Sequence, residues 1–317
     1  MKIFRHEKVK FFYYLKSVWT IILPFSLFRS KLRKILNSPE CQSPAVLERV
    51  NYYIKLTQKF KPDNNFIPIK SFKLKEHKSA YFFDSLEFLR YFNPSLRFRP
   101  LFGDITFVPE IPSIVKSRPI SDNNQNSVIL NLDKFRHFNF IHDTLGYQDK
   151  IDKLVWRGHV SVQKENRIKF LELFHNHPLC DAGYTNRWDG GNPAWKKPWM
   201  TISEQLRYKF LLCLEGVDVA TNLKWAMSSN SVAVSTKPKY ETWFMEGKLI
   251  PDYHYIQIAD NFSDLEEKIK YYIQNPDKSA KIIGNAHQYI NQFNSKKLEK
   301  IISLMVLDKY FSLMEVD

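Results

Sequence analysis

Glycine is scarce in this chain, nine residues in 317. Neither G-x-G-x-x-G nor G-x-x-x-x-G-K-[ST] occurs, which argues against a nucleotide site built on a long glycine-rich loop. Cysteine is scarcer still. Cys41, Cys180 and Cys213 are widely separated and odd in number, so neither a disulfide framework nor a zinc knuckle is expected, and a reducing compartment is the natural setting. Long apolar runs are missing too. The uncharged run from Ser17 to Phe28 is twelve residues and contains Pro24, whereas a spanning helix needs about 20 apolar residues. No small-residue cleavage site follows it, which argues against a secretory signal. No internal repeat is visible, which sets aside solenoids.

Aromatic and charged residues are what the chain has in quantity. Hydrophobic residues make up 44% and aromatics 15%, enough for a sizeable core, and the length suits two domains of about 150 residues each. Net charge is +14. Residues 1–36 hold nine Lys or Arg against one acid, Glu7, interleaved with aromatics such as Phe11, Tyr13, Trp19 and Phe25. Such a segment suits a membrane interface, with rings at headgroup depth and cations on anionic lipid. The alternative is a basic helix pair packed on the protein body. A nucleic-acid arm fits poorly, because the apolar density is high and no helix-turn-helix, RNP or zinc-finger pattern follows.

Periodicity predicts helices over Val46 to Phe60 and Ala80 to Phe92, and strands at Ile105 to Val108, Ser127 to Leu132 and Lys153 to Trp156. Further on, Tyr208 to Leu214 reads as a buried strand, Val219 to Met227 as a short helix and Ser231 to Ser235 as the next strand, a βαβ unit. His254 to Ile258 makes another strand. Ser263 and Glu266 have capping-box spacing before an amphipathic helix that stops at Asn275-Pro276, and a second helix runs from Pro276 to about Phe293. Short strands between helices predict an open α/β sheet.

In such sheets ligands bind beyond the carboxyl ends of the strands. Glu215, Gly216 and Asp218 stand at one such end, followed by Asn222, Lys224, Ser229 and Ser231. A carboxylate there can accept from ribose hydroxyls, while Lys224, the serines and helix amides can hold a diphosphate; Glu-Gly after a strand is equally an ordinary turn. Arg157-Gly158 follows another strand and suits bidentate phosphate contact, or a surface turn.

The runs Trp156-Arg157-Gly158, Tyr208 to Gly216 and Lys224 to Val232, with Tyr240-Glu241-Thr242-Trp243-Phe244 and Asp260 to Leu265 downstream, resemble glycosyltransferase family 90. That family includes bacterial lipopolysaccharide-core transferases, fungal capsule xylosyltransferases and animal protein O-glucosyltransferases. The resemblance runs from about Gly103 to Phe293. It implies a GT-B-like fold of two Rossmann-like domains facing a cleft, a UDP-sugar donor and inversion at the anomeric carbon. The division it suggests is residues 1–40 as the basic interfacial segment, 41–150 as the acceptor-side domain, 151–293 as the nucleotide-sugar domain and 294–317 as a helix crossing back.

Carried over by residue, Arg157 resembles the family arginine near the donor diphosphate, and the stretch from Glu215 to Ser231, with Glu241, resembles its donor-binding region. Asn222 stands where animal members have arginine, which leaves Lys224 or Arg118 as substitutes. Inversion needs a carboxylate to take the acceptor proton. Val108-Pro109-Glu110-Ile111-Pro112 resembles the family's base segment, so Glu110 is the first candidate and Asp104 the second. Lys116-Ser117-Arg118-Pro119 offers cations for donor phosphates or an anionic acceptor.

No Asp-x-Asp is present, so no metal cofactor is expected: leaving-group charge would fall to Arg, Lys and helix amides, and activity should survive EDTA. The resemblance thus implies transfer of glucose or galactose to a lipopolysaccharide inner-core sugar, on the cytoplasmic side of a Gram-negative inner membrane. The alternatives are another envelope glycan such as capsule, or a non-catalytic glycan-binding protein. Nucleotide sugar, core acceptor and anionic membrane are the expected partners, and nucleic acid is not.

Overall fold

The computed structural model describes residues 23–315; the interfacial expectation for residues 1–22 lies outside them. The chain divides into two compact units. One holds the residues up to Arg136 together with Tyr240–Met245 and the stretch from Phe293 onward; the other holds His137–Lys239 and Glu246–Gln292.

Among the described residues the helices of the first unit include α1 (Ser26–Leu36), α2 (Pro44–Tyr53) and α3 (Ser79–Leu89). Phe28, Leu32 and Ile35 of α1 recur at helical spacing and are half-buried, while Arg29, Lys31, Arg33 and Lys34 are exposed. Phe28 meets the Tyr91 ring edge-on at 5.3 Å, and the Arg90 guanidinium lies 3.6 Å from the Phe28 ring centroid. The apolar stripe of α1 therefore packs on the protein and its cations face outward.

Helix α2 stops at Tyr53, short of the Phe60 expected from periodicity. The cause is far away in sequence: the Arg118 guanidinium donates to the Tyr52 carbonyl at 2.7 Å and the Tyr53 carbonyl at 3.4 Å, capturing acceptors that a helix end leaves open. A small parallel sheet follows, in the order β1 (Pro100–Leu101), β2 (Ser113–Val115), β3 (Ser127–Ile129). The strand expected at Ile105 to Val108 does not form. Gly103 turns the chain at φ +131°, Phe107 is exposed, and the Ser117 hydroxyl, at 3.2 Å from the Ile105 N–H, accepts the hydrogen bond a ladder would have taken.

The second unit is built on a five-stranded, all-parallel sheet: β4 (Ile151–Gly158), β5 (Cys180–Tyr184), β6 (Tyr208–Leu212), β7 (Val232–Ser235) and β8 (Ile256–Gln257), in the order β8-β7-β6-β4-β5. Its connections include α4 (Glu165–Phe174) and α5 (Leu223–Met227), and α6 (Leu265–Gln274) and α7 (Pro276–Asn291) follow β8. Alternate strand residues Leu154 and Trp156, Phe210 and Leu212, Val232 and Val234 share one core with Phe170 and Leu171 of α4 and Leu265 and Ile269 of α6. Period-2 and helical patterning meet there.

The box expected at Ser263 does not form. Phe262 has φ +64°, the chain turns one residue later, and Asp264 becomes the N-cap residue, its carboxylate accepting from the Ala259 N–H at 2.8 Å while Ser263 bonds Asn261. A reciprocal capping box does form at Thr201 and Glu204.

Helix α8 (Lys296–Leu313) belongs to the first unit and packs on α1, α2 and α3. Glu299 pairs with Arg49 of α2 at 2.6 Å and accepts from the Trp243 indole N–H at 2.5 Å; Trp243 in turn stacks on Tyr53 at 3.8 Å. Among the described residues no helix is long and apolar enough to cross a membrane.

Candidate active site

Because every strand of the large sheet runs the same way, the ends of β4 and β6 share one edge. Gly158 closes β4, and a Cβ there would fall 2.3 Å from the Trp156 ring, so only glycine lets the chain fold past the indole. After β6, Glu215 is 9% exposed and accepts from the Lys239 N–H at 2.9 Å.

Arg157 is already matched. Its guanidinium bonds the Asp181 carboxylate and carbonyl, both at 2.8 Å, and the Pro198 carbonyl at 3.1 Å. Lys197 at 2.8 Å and the Tyr208 hydroxyl at 2.7 Å complete the Asp181 shell. Burial works to raise the Asp181 pKa, but these donors outweigh it and hold it down to about 2.

Arg167 of α4 is different. It donates to the carbonyls of His159 and Leu214 at 2.8 Å and of Glu215 at 3.1 Å, and pairs with no carboxylate among the described residues. Burial alone brings its pKa down to about 10, the mark of a cation stripped of water without a counter-charge. His159 beside it is held below the usual histidine range by burial and by Lys164 and Arg167, so this edge is electropositive. Gly216 leaves room for the guanidinium; a Cβ there would come to 3.3 Å from its Nη2.

Other residues singled out in the sequence are placed elsewhere. The Ser229 hydroxyl closes a turn on Ala226 at 2.6 Å, and that of Ser231 donates to the carbonyl of Tyr208, the first residue of β6, at 2.7 Å; both serines therefore lie at the opening edge of the sheet. Lys224 is 1% exposed and paired with buried Glu246. Asn222 donates back to the Leu212 carbonyl at 2.9 Å, and Asp218 is buried in the loop after β6. In the first unit, Arg118 and Glu241 form a fully buried pair at 2.7 Å that also receives the Tyr52 hydroxyl.

The same strand logic separates the two candidate bases. Asp104 follows β1, Lys116 follows β2, and the two pair at 2.6 Å with Lys116 2% exposed and Asp104 44% exposed. Burial acts to raise the Asp104 pKa, but Lys116, Arg136 and Lys78 hold the carboxyl below its ordinary range. Asp133, after β3, joins this edge with a left-handed φ of +56° and a 2.9 Å pair to Arg136. Glu110 precedes β2, at the other end of the sheet. Its side chain is exposed and makes no hydrogen bond or ion pair among the described residues; only its carbonyl is held, by Asn126 at 2.7 Å. No group of three or more His, Cys, Asp or Glu among the described residues is placed to hold a metal ion.

Residues 134–317 match glycosyl transferase family 90. Over 317 residues, 98% of this chain and 96% of the relative, the chain is 41% identical to the O-glucosyltransferase LpsA of Dichelobacter nodosus. The chain belongs to glycosyltransferase family 90. Shorter matches reach animal family relatives: protein O-glucosyltransferase 3 of Homo sapiens is 29% identical over 139 residues, 42% of this chain and 27% of that protein. Protein O-glucosyltransferase 2 of Danio rerio is 28% identical over 147 residues, 45% and 29% of the two chains.

Membership of family 90 makes this chain a glycosyltransferase, with a sugar donor and a glycan acceptor. Within it, the second unit brings Gly158, Glu215, Gly216 and Arg167 to one strand edge, and the first brings Asp104 and Lys116 to another. Arg167 escaped the sequence reading because a cation on a short amphipathic helix has no distinguishing pattern. Only the carbonyls of His159, Leu214 and Glu215 mark it, the last two far away in sequence.

Proposed function

We propose that this family 90 chain is an inverting glucosyltransferase that moves glucose from UDP-glucose to a lipopolysaccharide inner-core sugar. The single observation that carries the donor half is Arg167, a desolvated guanidinium at the carboxyl edge of a parallel sheet with no carboxylate partner among the described residues. A diphosphate supplies the missing counter-charge, and Glu215 at the same edge is the carboxylate assigned to a ribose hydroxyl. Glucose is preferred over galactose because the relative similar along its whole length is named an O-glucosyltransferase. The reading assigns the two units to the acceptor and donor halves of a GT-B-type enzyme.

In the acceptor half, Asp104 is the base in preference to Glu110. Buried Lys116 fixes its carboxylate and keeps it ionised, while the other face stays open to solvent. The carboxylate removes the acceptor hydroxyl proton as that oxygen attacks the anomeric carbon and the bond to UDP breaks on the opposite face. Leaving-group charge is met by Arg167 and backbone amides, without a metal. The outward cations of α1 support residence on an anionic membrane surface, where the acceptor lies.

The test is transfer from labelled UDP-glucose to purified core acceptor in EDTA. Transfer with inversion, lowered at least a hundredfold in Asp104→Asn, is expected; full activity in that variant, or strict dependence on added divalent metal, overturns the assignment.

A further inference from the structure

A groove of about 610 Å3 lies wholly within the first unit, between the segment 55–61 and the turns 110–112 and 122–126. It borders the residues that precede β2 and β3, so it sits at the opposite end of the small sheet from Asp104 and Lys116. Its walls are fixed. Phe60 packs against Phe66 and Tyr310, and its backbone bonds those of Leu313 and Glu315. Across the groove the Asn126 amide donates to the carbonyls of Pro109 at 3.1 Å and Glu110 at 2.7 Å.

Five of the side chains that line it, Gln58, Lys59, Glu110, Asp122 and Gln125, make no hydrogen bond or ion pair among the described residues. Carboxylates, amides and ammonium groups line one preformed hollow, and these five side chains are exposed to solvent there. With Lys55 and Lys61 the lining holds three ammonium groups against two carboxylates, and this mixture of donors and acceptors with little net charge suits a polyhydroxylated ligand. The volume is that of a small-ligand site.

We propose that this groove is a second saccharide-binding site, which holds non-reacting sugars of the glycan acceptor away from the carboxylate that activates it. The inference rests on the glycosyltransferase reading and gives Glu110 a part in glycan recognition. Binding at such a site raises the acceptor's effective concentration at the reacting edge without touching the chemistry.

The probe is maltotriose, with cellotriose and galactobiose beside it, observed by saturation-transfer NMR on the full chain with UDP present. Expected is a saturable signal from at least one of them, kept in Asp104→Asn and in Arg167→Ala, and weakened at least fivefold in Asp122→Ala/Gln125→Ala. Separate failure of UDP-glucose binding would strike the donor reading and leave this signal intact. No signal from any of the three overturns the second site. So does a signal that survives the groove substitutions or vanishes with Asp104→Asn, since the sugar then sits at the reacting edge. Thermal melting of each variant checks that it is folded, and Gln58→Ala provides a milder substitution on the facing wall.

Discussion

Asp104 and Glu110 are close in sequence yet stand at opposite ends of the small parallel sheet. Glu110→Gln should therefore lose less than tenfold in kcat, whereas Asp104→Asn should lose on the order of a hundredfold or more, the usual range for a missing general base. Lys116 supplies a second test. Because it holds the Asp104 carboxyl below its ordinary range, the acid limb of kcat/KM should lie below the ordinary aspartate range. Lys116→Met removes that cation, so the limb should move to higher pH while activity at pH 8 falls less. A limb that stays in place would show that another group titrates. Asp181 makes the corresponding statement about stability. Its folded pKa of about 2 lies below the unfolded value, so its contribution is present above about pH 4 and is lost as pH falls toward 2. Asp181→Asn leaves Arg157, only 7% exposed, without its carboxylate, and should cost about 3 kcal/mol in urea unfolding at pH 7.

Elements place these residues. Gly158 lets β4 end against its own Trp156, so Gly158→Ala should lower stability by about 1–3 kcal/mol, read as a shifted urea midpoint. Much of this architecture was legible: the apolar alternation around Trp156 and Phe210 and the helical spacing of Leu265 and Ile269 reflect local periodicity, which sequence carries directly. What was not legible depends on partners distant in the chain. Helix α2 ends where Arg118 takes its carbonyls, and Ile105 fails to join a strand because a serine hydroxyl substitutes for one. Ser229 and Ser231 looked like donor ligands until strand direction placed them before β7. Arg167 was hidden for the converse reason, since its role comes from where three carbonyls meet.

At the scale of the whole molecule, a net charge of +14 matches the anionic glycolipid proposed as acceptor. On α1 the cations Arg29, Lys31, Arg33 and Lys34 face outward while Phe28 packs inward. Replacing all four with glutamine should weaken binding to vesicles containing phosphatidylglycerol, at about 1 kcal/mol per cation and more strongly at low salt. Unchanged vesicle binding would assign the membrane contact to other parts of the chain. A UDP-sugar held without metal, on Arg167, is what the proposed reaction requires of this family 90 chain. The most direct measurement is thermal stabilisation by UDP-glucose in EDTA, for the native chain and for Arg167→Ala, each against its own unliganded state. At 100 times its dissociation constant the ligand should add about 2.7 kcal/mol to the native chain and almost nothing to the variant. Equal stabilisation of both, or none of the native chain until a divalent metal is added, would contradict it.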